Sequence, residues 1–336
     1  MRMFVLSIFI YFLTGCNSNS VDNKNEVLND PGGVTNLLYR GADLSYVNEM
    51  EDCGANYHNT NGIEQDPFEI FAKAGSNLVR LRLWHNPDWT NYSTFADVKK
   101  SIKRAKDVGM DVLLDFHYSD NWADPEKQEI PAAWSEHIDN KEVLGDSLYN
   151  YTRSVLEKLD QKGLLPEIVQ IGNEINGMIL QEGELEWPIN WSRNAYLINK
   201  GIRAVRDVSD ETEKDIEVML HIAQPENGIW WFKQATENGV TDFDWIGLSY
   251  YPLWSEYGLL EVSQPLSELI NTYQKRLMIV ETAYPWTLTN ADQANNILDK
   301  SALVDGVPAS AEGQLLYLDK LKEIVAGVPV AQLKYS

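Results

Sequence analysis

Two glutamates each close a stretch with the composition of a buried β-strand. Ile168 to Asn176 reads Ile-Val-Gln-Ile-Gly-Asn-Glu-Ile-Asn, so β-favouring residues run straight into an amide, Asn173, and a carboxylate, Glu174. Leu277 to Glu281 reads Leu-Met-Ile-Val-Glu and ends on a second carboxylate. Two carboxyl groups are the minimum equipment for hydrolysing a glycosidic bond. In the retaining form of that reaction, a neutral carboxyl protonates the leaving oxygen while an ionised one ~5 Å away attacks the anomeric carbon. Asn173 offers an amide donor to a sugar hydroxyl beside Glu174, which points to Glu174 as the acid/base. Arg80 and Tyr251, on other predicted strands, are placed to hydrogen-bond Glu281 and hold it ionised, which points to Glu281 as the nucleophile. A single strand-end glutamate is as readily the partner of a buried arginine. Two of them, three βα units apart and each with helpers, argue for one pocket.

The rest of the chain has to position them. From Leu37 onward short apolar strands alternate with helical patterns, the signature of parallel βαβ units. Strands are predicted at Leu37 to Leu44, Asn77 to Trp84, Met110 to His117, the Ile168 stretch, Ile216 to Ala223, Trp245 to Tyr251 and Leu277 to Glu281. Asp66-Pro67-Phe68-Glu69 opens a helix with a cap, a first-turn proline and an acid able to close a capping box. Phe95, Val98, Ile102 and Ala105 keep helical spacing, as do Leu144 to Leu159, Trp191 to Val208, and Ala311 to Ala326. An eighth strand is expected after Gly327. Eight such units close into a (β/α)8 TIM barrel, whose working residues lie at the C-terminal strand ends. Asp43, Trp84, His117, Glu174, His221, Tyr251 and Glu281 all stand at predicted strand exits. Arg80 and Arg82 share one face of the second strand and should need acidic partners. A doubly wound open sheet is the rival architecture, but no glycine-rich phosphate loop follows the first strand.

Charge narrows the partner. The 336-residue chain carries 50 acidic and 28 basic residues, for a formal charge of -22. Such a field disfavours nucleic acid and acidic polysaccharides and suits a neutral polysaccharide. The 11 Trp supply flat faces for sugar rings; Trp84, Trp122, Trp134 and Trp286 are candidate platforms, each equally consistent with packing at the barrel rim. No His or Cys spacing matches a zinc site, so His117 is expected to orient a carboxylate or a sugar hydroxyl.

The first residues set the address. Arg2, an apolar run from Met3 to Leu13 and then Leu13-Thr14-Gly15-Cys16 have the pattern of a secretory signal ending in a bacterial lipobox. Cys16 would become the lipid-bearing first residue, giving an exported protein anchored to the bacterial outer membrane or cell surface. The expected organisation is a signal over 1–16, a flexible tether over 17–36 and one barrel domain over 37–336, acting as a monomer. Cys53 alone then remains, so no internal disulfide forms, and it is expected as a packed small hydrophobe.

Several of these segments together resemble a known family. They are Gly41-Ala42-Asp43-Leu44-Ser45, Asn59-Thr60-Asn61-Gly62, Val79-Arg80-Leu81-Arg82-Leu83-Trp84, Asp115-Phe116-His117-Tyr118-Ser119-Asp120 with Trp122-Ala123-Asp124-Pro125, Gly172-Asn173-Glu174-Ile175 and Val280-Glu281-Thr282. They are similar to glycoside hydrolase family 53, the arabinogalactan endo-β-1,4-galactanases. The resemblance covers roughly Tyr39 to Leu321. It implies hydrolysis inside β-1,4-galactan chains, with Glu174 as acid/base, Glu281 as nucleophile and no cofactor required for catalysis. Only the resemblance supplies galactose.

The family's eighth strand normally ends in a Tyr-Trp-Glu-Pro type segment. After Gly327 this chain reads Val-Pro-Val-Ala-Gln-Leu-Lys-Tyr-Ser, so a truncated or divergent eighth strand is expected. Bacterial members often hold a calcium ion in the loop after the seventh strand. Asn290, Asp292 and Asn296 offer oxygen ligands there, with Ala294 where a histidine is expected. Two other functions stay open at this point: a surface glycan-binding lipoprotein that no longer cleaves, and a related retaining glycosidase acting on β-mannan or β-glucan.

Overall fold

Alternation along each strand decides what it offers to each side. Leu78–Leu83 (β4), Leu-Val-Arg-Leu-Arg-Leu, is buried at every position. Val79, Leu81 and Leu83 join the large apolar cluster that packs against helices, and Leu78, Arg80 and Arg82 are left to the other face. The structure, a computed structural model, describes residues 27–29, 35–183, 185–290 and 293–328. Contacts divide the chain into Met1–Leu38 and Tyr39–Ser336. In the first unit, Val27–Asn29 (β1) pairs antiparallel with Thr35–Leu37 (β2), a short regular feature in the stretch read as a tether that also takes up Leu37, read as the start of the first barrel strand. Cys16 and most of that tether lie outside the described residues.

The second unit alternates strand and helix. Its strands are Gly41–Asp43 (β3), β4, Asp111–Phe116 (β5), Ile168–Ile171 (β6), Glu217–Ala223 (β7), Trp245–Ser249 (β8) and Arg276–Glu281 (β9). All are parallel, hydrogen-bonded in sequence order from β3 to β9. The helices are Val47–Asp52 (α1), Pro67–Lys73 (α2), Phe95–Asp107 (α3), Lys141–Asp160 (α4), Trp191–Thr212 (α5), Pro225–Glu237 (α6), Ser263–Tyr273 (α7) and Ala311–Gly327 (α8). Sequential parallel strands with a helix after each give the (β/α)8 barrel architecture, of which the described residues supply seven strands. Side-chain caps start the helices where the sequence places them: Asp66, Thr94, Asn140, Asn190 and Ser310 each accept a backbone N–H of the first turn. The capping box at α2 does not close, because Glu69 turns instead to Gln65 and Lys73.

The barrel interior is layered. At the N-terminal end of the strands, Leu78, Leu113, Ile168, Met219 and Trp245 form a separate apolar plug with Tyr39, Met278 and Val280 against it. Two residues further along their strands stand Arg80, Asp115, Gln170 and His221, all buried. A dry plug below therefore supports a polar layer above, and the period of two that produces it is written in the sequence. One irregularity matters. β8 and β9 pair Leu248 with Ile279 but then Ser249 with Glu281, so the register slips by a residue at the working end. Met278 and Val280 face the plug, and without the slip Glu281 would face the helices; the extra residue re-aims it.

Among the described residues the sheet's outer strands are β3 and β9, and a cavity lined by Gly41 to Asp43 on one side and Met278 to Val280 on the other lies between them. Every β9 residue is only partly buried, whereas every residue of β4, β6 and β8 is buried, as expected for a strand with a described neighbour on one side alone. Of the stretch after Gly327 expected to form the eighth strand, Val328 caps α8 with extended backbone and 329–336 lie outside the described residues. The first strand is shorter than its reading, beginning at Gly41. Cys53 is exposed, not packed, because α1 ends on it in a surface turn.

Candidate active site

The polar layer is organised by Arg80. Its Nε donates to Gln170 Oε1 at 3.2 Å, its Nη1 meets Asp43 Oδ2 at 3.1 Å and Glu281 Oε1 at 3.0 Å, and its Nη2 meets Asp115 Oδ2 at 2.8 Å and Asn173 Oδ1 at 2.7 Å. This uses the whole donor fork of a guanidinium and ties β4 to β3, β5, β6 and β9. Burial alone would lower the Arg80 pKa, but Asp115, Glu281 and Asp43 together outweigh burial and raise it. Burial likewise pushes Asp115 up, and Arg80 and His117 more than reverse that, holding its carboxyl below the usual range. Arg82, expected to need an acid, has none among the described residues. Its guanidinium lies over the rings of Trp122 at 4.0 Å, Trp84 at 4.5 Å and Tyr46 at 4.8 Å, and its Nε donates to Ser93 Oγ. The neighbouring aromatic faces take the place of a counter-ion.

Glu174 sits where β6 leaves the barrel. Its φ is +45°, a left-handed conformation that is uncommon for a side-chain-bearing residue and is held here by several bonds. The Glu174 N–H points to His221 Nδ1 at 3.3 Å, Ile175 N–H donates to His221 O at 2.9 Å, and the Gln128 amide donates to the carbonyls of Asn173 and Glu174. Gly172, two residues before it, has φ +81°, and a Cβ there would stand 2.5 Å from Ile175 Cγ2, so the exit admits no side chain at that position. Ser249 Oγ donates to Glu174 Oε1 at 2.5 Å and in turn lies 3.0 Å from His221 Nε2. On the opposite wall Glu281 takes Arg80 on one oxygen and the Tyr251 hydroxyl, at 3.3 Å, on the other. Burial, then Glu281, pushes the Tyr251 phenol well up, so it stays a donor.

The two carboxylates meet. An oxygen of Glu174, an oxygen of Glu281 and a ring nitrogen of His221 all lie within 4.8 Å of one another. Around them Asp43, Asp115, Glu281 and Glu174 face one cation, Arg80, while burial keeps His221 well below its ordinary pKa and therefore neutral. One proton is retained as a result. Burial first, and the Glu281 charge second, push Glu174 up to about 7, against the opposing pull of Ser249 and Arg80. A neutral acid facing an arginine-bound carboxylate is an acid/base arrangement.

The remaining expected residues divide by depth. Asn173 is buried, with Oδ1 on Arg80 and Nδ2 donating to Ala123 O at 2.8 Å; its second amide hydrogen has no acceptor among the described residues. Asp43 is exposed, and its second oxygen accepts Ser45 N–H. His117 is buried behind the site. Its Nδ1 accepts Ala123 N–H, which leaves Nε2 to donate to Asp115 at 3.0 Å. Trp84 and Trp134 are buried, whereas Trp122 and Trp286 are exposed on the loops after β5 and β9. The Trp84 indole N–H is buried without a partner among the described residues.

In the loop after β9, Asn296 N–H donates to Asn290 Oδ1, and Asp292 lies outside the described residues. Sequence reasoning missed Gln170, Asp115 and Ser249. A glutamine inside Ile-Val-Gln-Ile was the available signal for the first; nothing marks Ser249 in Ile-Gly-Leu-Ser.

Comparison with known proteins bears on the same residues. The family model described as Glycosyl hydrolase family 53 matches residues 39–333. An arabinogalactan endo-beta-1,4-galactanase of Cellvibrio japonicus (strain Ueda107) is 60% identical over 290 residues, covering 86% of this chain and 77% of that one. An endo-beta-1,4-galactanase of Bacillus subtilis (strain 168) is 37% identical over 311 residues, covering 90% and 69%. Among solved structures, one of two fungal beta-1,4-galactanases superposes with a TM-score of 0.76 at 35% identity, covering 86% of each chain.

Proposed function

This chain belongs to glycosyl hydrolase family 53, and from that premise we propose that it cuts β-1,4-galactosidic bonds within galactan chains by double displacement. It is a glycoside hydrolase. The observation that carries the mechanism is the carboxylate pair: oxygens within 4.8 Å, near the ~5 Å of retaining enzymes, with Glu174 pushed up to about 7 and Glu281 held by Arg80 and Tyr251. In the first step Glu174 gives its proton to the glycosidic oxygen as that oxygen leaves C1, and a Glu281 oxygen bonds C1 from the opposite face. In the second, ionised Glu174 takes a proton from water as the water oxygen attacks C1 and the bond to Glu281 breaks. Two inversions return the original anomer. The free amide hydrogen of Asn173 is positioned in role as donor to a sugar hydroxyl next to the breaking bond. Every residue of this scheme is the chain's own.

Reducing-end release from β-1,4-galactan, run beside β-mannan, β-glucan and polygalacturonate, tests the substrate. Release from galactan alone is expected; release from mannan or glucan instead would move the reading to a related glycosidase, and binding without release to a glycan-binding protein. Neither alternative has an observation in its favour. Glu174→Ala should lower the rate on galactan by about 10²- to 10⁴-fold. An acid must be protonated to act, so wild-type kcat/KM should fall about tenfold per unit as pH rises through about 7, and this limb should vanish in the variant on an aryl β-galactoside. Azide should rescue that substrate as the β-galactosyl azide. A basic limb that survives in Glu174→Ala would remove Glu174 from the role.

The reading extends to location on sequence grounds alone: an exported enzyme held to the membrane by a lipid on Cys16 and acting as a monomer. Detergent-phase partition of the full chain that is lost in Cys16→Ser checks the anchor.

A further inference from the structure

Among the described residues the exposed tryptophans are Trp89, Trp122, Trp187, Trp230, Trp254 and Trp286. Each follows the C-terminal end of a barrel strand, in a βα loop or, for Trp230, in the second turn of α6. The buried ones, such as Trp231 and Trp245, pack in the core or the plug. Exposed indoles confined to the face that carries the carboxylates are not explained by folding, which rewards burying them.

Trp89, Trp122, Trp254 and Trp286 stand on the loops after β4, β5, β8 and β9. Trp187 and Trp230 form a pair of their own. Their ring centroids are 5.5 Å apart with planes inclined by 34°, and they are 67% and 41% exposed, so two touching indoles both remain open to solvent. The pair has a firm base. Asn176, in the loop that carries Trp187, exchanges amide hydrogen bonds with Ala223 at the end of β7, and Asn227 at the start of α6 donates to the same carbonyl. Next to Trp230 in sequence, Trp231 is fully buried and stacks edge-on against Trp191 of α5, fixing which way α6 is turned. A platform of two indoles on a fixed base holds flat apolar faces without the cost of ordering them on binding.

We infer that Trp187 and Trp230 form a second carbohydrate-binding site on the barrel rim, apart from the catalytic pair, that stacks pyranose rings of the same neutral β-linked galactan. The formal charge of -22 argues against a polyanionic occupant. An exposed indole face matches the C–H face of a pyranose ring in size, and a polymer held there keeps further segments close to the cleft. This rests on the galactanase reading, and it predicts a division between long and short substrates.

The test uses affinity electrophoresis in gels containing β-1,4-galactan, with Glu281→Gln as the non-cleaving background. Adding Trp187→Ala and Trp230→Ala should weaken retardation about tenfold. In the otherwise unsubstituted enzyme the same double substitution should lower the rate on dilute polymer several-fold and leave galactotetraose hydrolysis within about twofold. Trp187→Phe with Trp230→Phe should keep most of the binding. Unchanged retardation in the alanine variant overturns the site, as does an equal loss on galactotetraose or an equal loss with phenylalanine, since each would assign the pair to the cleft or to loop packing. Reducing-end release by the unsubstituted enzyme is read alongside. Release with unchanged retardation retires only the platform; neither release nor retardation retires the galactanase reading itself.

Discussion

Glu281→Gln is expected to lose turnover on galactan by at least about 10⁴-fold while its circular dichroism and melting stay at wild-type values. The amide keeps the shape of the carboxyl: its oxygen accepts from Arg80, and its NH2 meets the Tyr251 hydroxyl oxygen with the direction of that one bond reversed, so the side chain stays in place. It lacks the charged oxygen that must bond to the anomeric carbon. Arg80 retains Asp43 and Asp115 as counter-ions, so the fold does not depend on this charge. A secondary effect follows from the pair: removing the Glu281 charge removes the second-largest cause of the raised Glu174 pKa, which should move down. Ordinary turnover in the variant would exclude Glu281 as the nucleophile.

Arg80→Met is expected to damage the fold itself. The side chain of Asp115 is fully buried and those of Asp43 and Glu281 are 33% and 23% exposed, so the substitution leaves facing carboxylates without their cation. Breaking a buried ion pair from one side costs about 3–5 kcal/mol, on the order of 10 °C in Tm for a domain of this size. The sign of its pH dependence is fixed. In the wild type Arg80 holds the Asp115 pKa down, which contributes stability above the unfolded pKa that is lost as pH falls through the folded one. Without Arg80 the largest pull against burial is gone and the Asp115 pKa should move up, so the variant's deficit should be largest near neutrality and shrink towards acid. Thermal melts of both proteins at pH 7 and pH 4.5 read this directly. A deficit independent of pH would mean that lost packing, not uncompensated charge, is the cause.

How much of this was legible in the chain depends on the range of the interaction. Strand exits could be read because a barrel strand announces itself by local composition and its end by a change to polar and aromatic residues, and this placed Glu174, Glu281, Arg80, Asn173 and Tyr251 around one opening. Pairing was harder. That Arg80 and Arg82 would part company, one into carboxylates and one into the rings of Tyr46, Trp84 and Trp122, depends on which loops fold back over β4, and local pattern does not contain that. Ser249 is invisible for a similar reason. It matters through its 2.5 Å bond to Glu174 two strands away, and the register slip that brings it opposite Glu281 is a property of two strands together. Cys53 was misjudged because the turn after α1 exposes a residue type that is usually buried.

The most direct test of the central claim is the configuration of the first product. Proton NMR of a fresh digest of β-1,4-galactan follows the anomeric signals of new reducing ends before mutarotation mixes them. The carboxylate spacing and the double displacement built on it predict that the β-anomer appears first and the α-anomer grows in later at the mutarotation rate. Early α-anomer would mean a single displacement through a water that this spacing leaves no room for, and would contradict the assignment of Glu281 as the group that bonds the sugar.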